Sequence, residues 1–202
     1  YDGSLRLNVN PGKYQVSLYQ RLRTELSILD GPIDFEVEQI RKNTLENPLK
    51  DKQIQYYQDL ALFTSKVRIA ENQFEKTNKT LITMKNNIKY IKNNTEEISK
   101  EIYTLMEMMD SLKKQIGGSN ARAEVGEKDY KTLNGRLYNA KGGWRPNSYG
   151  ASELHMESFQ MAIDMYERTY PSIEKFIDRV KTIQINFVAN GGPTIIDLSL
   201  IH

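Results

Sequence analysis

The chain of 202 residues contains no cysteine, and this absence removes several classes of chemistry. Disulfide frameworks, thiolate nucleophiles and cysteine-ligated metal sites are all excluded. A protein without cysteine is compatible with the cytosol, and equally with a bacterial envelope whose proteins do not rely on disulfides.

Long apolar runs and a strong net charge are also missing. No stretch approaches the roughly 18 consecutive apolar residues of a membrane span. The net charge is only +2, with 27% charged and 39% hydrophobic residues. Such a chain has no strong overall field for nucleic acid or a membrane surface, and its composition is that of an ordinary globular protein. There is no initiator Met and no signal-peptide pattern, so we interpret the chain as a fragment of a longer product.

The first forty residues alternate apolar and polar side chains in four short runs, which is typical of β-strands. The runs are Leu5–Val9, Tyr14–Gln20, Glu25–Leu29 and Ile33–Ile40, with turn sequences at Asn10–Lys13 and Asp30–Pro32. We therefore expect residues 1–45 to form a small antiparallel β segment, an Ig-like half-sandwich or meander. A β domain of so few residues is only marginally stable. We therefore expect this sheet to pack on the helices or on an upstream partner.

Proline and glycine are absent from Leu49 to Ile116, where apolar residues recur at alternating spacings of three and four. That spacing is a heptad seam, in which Thr77 occupies one of the apolar positions. It predicts helices at about 49–92 and 95–116, with helix-capping residues near Asn94. One alternative is a single helix of roughly 100 Å. The cap signals favour the other alternative, a hairpin of two antiparallel helices.

The remainder predicts a third helix at about 152–189 with Ser152 as its N-cap, after a long polar loop at 117–150. Its seam includes Tyr170, Ile177 and Gln184, and Pro171 should kink the helix or restart it. The fold class expected for the whole chain is thus α+β and mostly α. The small β segment precedes an elongated antiparallel three-helix bundle over residues 46–202.

No catalytic, cofactor-binding or metal-binding residue emerges from the sequence, and no cofactor is implied. His155 at the start of the third helix lacks the further ligands that a metal site needs. Paired carboxylates sit in cap-like or solvated surroundings rather than in a cleft of the kind that glycosidases use. The residues that suggest contact with a ligand or partner are the rings of Trp144 and Tyr149 and the cations Lys85, Lys89 and Lys92. Those lysines belong to an acid-free run on the first helix, which we expect to face the acidic residues of the second.

Several stretches together resemble one family, the bacterial sortilin-like proteins with BNR-repeat propellers, often labelled glycosyl hydrolases. The segment LNVNPGKYQVSLYQ (Leu7–Gln20) is similar to the family's PGxYxVxL hairpin, and FEVEQIRKNTL (Phe35–Leu45) to its last strand. Within the first helix, the stretch from Gln53 to Gln73 resembles the family's first helix in placement and pattern. SYGASELHMESFQMA (Ser148–Ala162) is similar to its YGPTxxHxxxYxxA helix entry, and NGGPTI (Asn190–Ile195) to its AGAPW ending.

The resemblance covers nearly the whole chain but departs from the family at Ala151, where the family has proline. It implies a C-terminal region lying downstream of a propeller that would carry any glycosidase carboxylates. The expected function is therefore a non-catalytic accessory or interaction module of a larger secreted or cell-envelope protein. This module would brace the propeller or dock a partner protein. The parent's own enzymatic status stays open.

Two other functions remain open at this point. One is a part of a glycoside hydrolase that shapes the substrate cleft, with Trp144 and Tyr149 stacking on sugar. The other is a coiled-coil segment for oligomerisation or adhesion, built on one continuous helix. The expected partners are the upstream propeller or another envelope protein, and a glycan under the hydrolase alternative. Neither nucleic acid nor a membrane span is expected.

Overall fold

A computed structural model of the chain shows two compact units, Tyr1–Pro48 and Leu49–His202, which we describe separately. The predicted boundary lies between residues 45 and 46. The structure describes residues 11–23, 25–38, 40, 50–118, 124, 126, 131–142 and 151–195, without the side chains of residues 50–52 and 54.

The first unit contains an antiparallel hairpin of two strands, β1 (Gly12–Leu22) and β2 (Glu25–Val37). Two register shifts interrupt the pairing, between Val16 and Leu18 and between Leu18 and Tyr19. At each shift β2 advances by one residue more than β1, so the extra residues belong to β2 and form bulges.

The predicted turn at Asp30–Pro32 is wrong, because these residues lie inside β2. The third and fourth predicted runs are therefore parts of one strand. Turn-forming residues fit inside the strand because Gly31 takes a backbone conformation that favours glycine, with φ of +96°. A Cβ on Gly31 would lie only 2.6 Å from the Val16 carbonyl oxygen. Glycine lets the strand bulge instead of reversing. The predicted strand at Leu5–Val9 lies outside the described residues.

The second unit is a helical bundle, and the chain is mostly helical, so the predicted α+β class is confirmed. The helices described in it are α1 (Lys50–Asn86), α2 (Thr95–Gly117), α3 (Leu133–Ala140) and α4 (Glu153–Ala189). At about 1.5 Å per residue, the two 37-residue helices α1 and α4 are each about 55 Å long.

Aromatic contacts show that α1 and α4 run parallel. Near the start of both helices, Phe63 packs on Phe159 and Tyr166, with ring centroids 5.6 and 5.5 Å away. Further along both, Phe74 packs on Phe176 at 5.3 Å. Partners that advance together along two helices require the helices to point the same way.

Helix α2 runs antiparallel to α4, and therefore also to α1. Glu101 near its start bonds to Arg179 near the end of α4, at 2.7 Å. Gln115 near its end accepts a 3.4 Å bond from Thr169, which lies earlier in α4. The three long helices thus form an up-down-up bundle, and the continuous-helix alternative is wrong for residues 50–117.

The reversal between α1 and α2 is a short, well-bonded segment. A 3₁₀ turn at Ile88–Tyr90 follows α1, and Asn94 takes a left-handed conformation with φ of 53° before α2 begins. Asparagine tolerates that conformation better than most residues. Ile91 between them is buried in the core, so the apolar seam continues through a turn that reverses the chain. This explains why the heptad phase alone does not distinguish the two alternatives.

The bundle core follows the seam predicted for α1 and α2 but is shifted in two places. In α1 the buried residue is Asn78 rather than its neighbour Thr77. In α4 the predicted seam residues Tyr170, Ile177 and Gln184 are only half-buried. The other predicted seam residues from Tyr166 onward, Ile173, Val180 and Phe187 among them, are buried as expected. The buried stripe of α4 also includes Thr169, Phe176 and Ile183. Because α4 packs on both α1 and α2, its buried stripe is wider than a single heptad seam.

The helix does not restart at Pro171, because α4 is one continuous element through this residue. Proline removes one backbone donor, which leaves the carbonyl of Glu167 without its usual helical partner. Both Pro171 and Glu167 are exposed, so water can satisfy that carbonyl and the interruption costs little.

The short helix α3 packs mainly on α4 and is hydrogen-bonded to α1 at both ends. Asn134 near its start donates a 2.9 Å bond to Glu71 of α1. At its end, the Tyr56 hydroxyl donates to the carbonyl of Ala140 at 2.7 Å and lies 3.1 Å from the carbonyl of His155. Burial raises the pKa of Tyr56, so this hydroxyl stays a donor.

The attachment at Glu71 predicts a pH dependence of stability. Burial raises the pKa of Glu71, an effect that outweighs the opposing influence of Asn134 and Lys141. The native state therefore holds this proton more tightly than the unfolded state, and stability falls as pH rises from the unfolded pKa through the folded one. We expect Glu71→Gln to be more stable than wild type at pH 7, and the difference to vanish at about pH 3.5, where the carboxyl is protonated in both states.

Urea unfolding at the two pH values measures this difference. Glu107→Gln is the matched control, because Glu107 is exposed on α2. An equal gain for both variants, or the same Glu71→Gln gain at both pH values, would contradict the prediction.

Candidate interaction surface

One face of the β-hairpin carries a cluster of four apolar side chains, of which Tyr14 is half-buried and the other three are exposed. Tyr14 and Phe35 are register partners whose rings stack at 5.8 Å, and the next pair on this face is Val16 with Ile33. The exposed fractions are 53% for Val16, 54% for Ile33 and 45% for Phe35. We call these four residues the apolar face of the hairpin.

The opposite face of the same strands is polar. Lys13 is the register partner of Glu36, and Gln15 is that of Asp34. Successive side chains of a strand point to opposite faces, so the alternation in both strands separates the two surfaces cleanly at this end of the hairpin.

The half of the hairpin in which β1 ends and β2 begins adds further exposed apolar side chains. They are Leu18, Tyr19, Leu22, Leu26, Ile28 and Leu29. A two-stranded hairpin is at best marginally stable in water, and a cluster of exposed apolar side chains on a folded protein marks an interaction site. The hairpin therefore has the properties of a surface that another element covers.

The predicted contact residues Lys85, Lys89 and Lys92 are exposed where α1 reverses into α2. Two of them lie over tyrosine rings: Lys85 Nζ is 5.8 Å from the ring centre of Tyr103, and Lys89 Nζ is 5.1 Å from that of Tyr90. These distances allow cation–π contacts within the chain. The two lysines thus have a local structural role in addition to any role with a partner.

Lys92 has a separate part in the fold. Its backbone N–H donates a 2.9 Å bond to the carbonyl of Asn190, which ties the α1–α2 turn to the end of α4. A Cβ on Gly191 would lie 3.2 Å from Lys92 Cγ, so the side chain passes close to that end. The expected pairing of the lysine run with α2 acids does not hold for Glu101, which bonds to Arg179 instead.

Trp144 and Tyr149, the predicted sugar contacts, lie outside the described residues. His155, considered for a metal, accepts a 2.9 Å bond at Nδ1 from the N–H of Ser152, the predicted N-cap of α4. That bond is the return half of a capping box. Among the described residues there is no group of three or more His, Cys, Asp or Glu that could hold a metal ion.

An open polar groove between α2 and α4 contains carboxylates, but it does not resemble a glycosidase site. Glu101 is bonded to Arg179 at 2.7 Å, and Asp178 lies 3.3 Å from Lys181. Glycoside hydrolysis needs one carboxyl kept protonated and a second free to attack or to activate water. Of the three carboxylates that line the groove, two are paired with cations and the third, Glu97, is exposed, so they do not meet that need.

Sequence reasoning found the alternation of the hairpin but did not name its apolar face as a site. The signal was present in Tyr14, Val16, Ile33 and Phe35, which alternate with polar residues. It also missed the buried amide of Asn78, which is 1% exposed and whose Oδ1 has no hydrogen-bond partner within the described part of the chain. The sequence Asn78-Lys79-Thr80 matches a glycosylation acceptor, yet this burial keeps the amide from a modifying enzyme in the folded state.

No protein-family model matches this chain, and no curated protein and no solved structure is significantly similar to it. None of the helices described here is both long and apolar enough to cross a membrane. The class that the structure itself defines is a helical-bundle protein whose N-terminal unit contains a β-hairpin with one apolar face.

Proposed function

We propose that the chain is a non-catalytic accessory module that docks through its β-hairpin, within a larger secreted or envelope-associated propeller protein. The observation that supports the docking role is the exposed apolar face of the hairpin. Tyr14, Val16, Ile33 and Phe35 form a continuous surface on two strands that are too few to be stable alone. The propeller parent and the envelope location rest on the resemblance of the sequence motifs.

The bundle suits the role of a rigid support. Its interior is filled by apolar side chains from α1, α2 and α4, and α3 is bonded to α1 at both ends. Burial of this kind contributes about 25 cal/mol per Å² of apolar surface, whereas an exposed ion pair contributes little, so the apolar interior dominates the stability of the bundle. The partner that fits the hairpin is the upstream propeller of the same protein, or another envelope protein with an apolar docking surface.

The natural gene product provides the test. We expect its intact mass to be well above the 23.4 kDa of this chain. In that product, the double change Val16→Ser with Ile33→Ser should weaken docking of the hairpin and speed proteolytic cleavage between this module and the rest. The physical reason is the loss of two apolar side chains from the docking face.

Leu62→Ser is the matched control, because Leu62 is 72% exposed but lies on α1. It should leave the cleavage rate unchanged. A natural product of about the mass of this chain would refute the accessory-module proposal, and equal cleavage of the hairpin variant and wild type would refute the docking role.

A further inference from the structure

The two strands of the hairpin differ sharply in charge. β1 carries Lys13 and Arg21 and no acidic residue, whereas β2 has no basic residue. The acidic residues of β2 are Glu25, Asp30, Asp34 and Glu36. The basic strand and the acidic strand therefore present chemically different outer edges.

The outer edge of β2 is poorly suited to a further strand. Both extra residues of the register shifts belong to β2, and bulges bend a strand and interrupt its hydrogen-bonding row. Pro32, also in β2, has no N–H to donate. These features protect this edge from strand addition.

The outer edge of β1 is regular by comparison. Its eleven residues contain no proline and no bulged residue, and within the described part of the chain its only strand neighbour is β2. An exposed strand edge of this kind is a template for pairing with an extended segment.

The side chains of β1 indicate what that segment should contain. Tyr14 and Val16 belong to the apolar face, while Lys13 and Arg21 belong to the other face. The register partner of Arg21 on β2 is Leu26, so no acid lies directly across from this guanidinium in the hairpin. A strand that places acidic side chains beside Lys13 and Arg21, and apolar ones beside Tyr14 and Val16, would complement both faces.

A second copy of the chain fits this edge less well. Antiparallel pairing of two β1 strands over their full length, centred on Ser17, would set Lys13 of one copy opposite Arg21 of the other. Like charges directly opposite each other destabilise a strand pair.

We propose that the outer edge of β1 binds an extended partner segment in which apolar and acidic residues alternate. The segment adds a third strand, continues the apolar face and neutralises the basic side of β1. This inference rests on the proposed docking function and specifies its partner chemistry.

Two nine-residue peptides test the inference on the full chain, one alternating valine with glutamate and one alternating valine with lysine. We expect the glutamate peptide to bind at least about ten-fold more tightly at low salt. It should also slow hydrogen exchange at amides of β1 and leave those of α2 unchanged. Arg21→Glu should remove most of this preference. Lys79→Glu, the same charge change at an exposed site on α1, should preserve it.

Equal binding of the two peptides, or no binding by either, would overturn the inference. Protection of the β1 amides in the absence of peptide would also overturn it. If that protection depended on protein concentration, the occupant would be a second copy of the chain. If it did not, the occupant would be a segment of the same chain. The docking function fails separately, if the hairpin exchanges as fast in the natural gene product as in the isolated chain. Slower exchange in the natural product together with equal peptide binding overturns only the acidic-strand inference.

Discussion

Phe176→Ala should destabilise the helical bundle by about 3–5 kcal/mol, because it empties the centre of the core. The Phe176 side chain is fully buried, and its ring packs on Phe74 of α1 at 5.3 Å. It belongs to a cluster that also includes residues of α2, so all three long helices lose contacts at once. Urea unfolding followed by helical circular dichroism measures the loss.

The matched control for this change lies on the same helix. Ile185 is 71% exposed, so Ile185→Ala should change the free energy of unfolding by no more than about 0.5 kcal/mol. Similar losses for the two variants would mean that α4 does not bury the face described here.

Gly192→Ala should cost about 1–3 kcal/mol, because the added methyl group would overlap the buried ring of Phe187. Gly192 closes the end of α4: its N–H donates to the Phe187 carbonyl at 2.9 Å, and the N–H of Gly191 donates to that of Val188 at 3.1 Å. These two bonds form a Schellman motif, with Gly191 in the left-handed conformation at φ +98°. Thermal unfolding of the variant measures the loss.

Gly117 provides a control with the same chemical change in an open position. A Cβ at Gly117, the last residue of α2, meets nothing within 4 Å. Gly117→Ala should therefore be neutral or stabilise the bundle by up to about 1 kcal/mol through helix propensity. If Gly192→Ala were as harmless as Gly117→Ala, the close packing of the α4 terminus on Phe187 would be wrong.

The helices could be predicted from sequence because their signal is local and repeated. Absence of proline and glycine, heptad spacing and cap residues near Asn94 and Ser152 place α1, α2 and α4 close to their observed bounds. The exact buried stripe could not be predicted, because it depends on where the neighbouring helices lie. Asn78 shows this most clearly: a polar amide occupies a core position that sequence reasoning assigned to Thr77.

The strands were harder to predict for a different physical reason. Asp30, Gly31 and Pro32 have the composition of a turn, and only the pairing of β2 with β1 shows that they form an irregular part of one strand. The apolar face of the hairpin can be seen in the alternation of Tyr14 and Val16. Its exposure cannot be predicted from sequence, because alternation says which residues share a face and not what covers that face.

Hydrogen exchange across residues 12–37 is the most direct test of the docking role, measured in the isolated chain and in the natural gene product. We expect fast exchange of hairpin amides in the isolated chain, while amides in the centres of α1 and α4 exchange slowly. In the natural product, the amides around Val16 and Ile33 should become protected. Identical, fast exchange of the hairpin in both samples would contradict the claim that its apolar face is a docking surface.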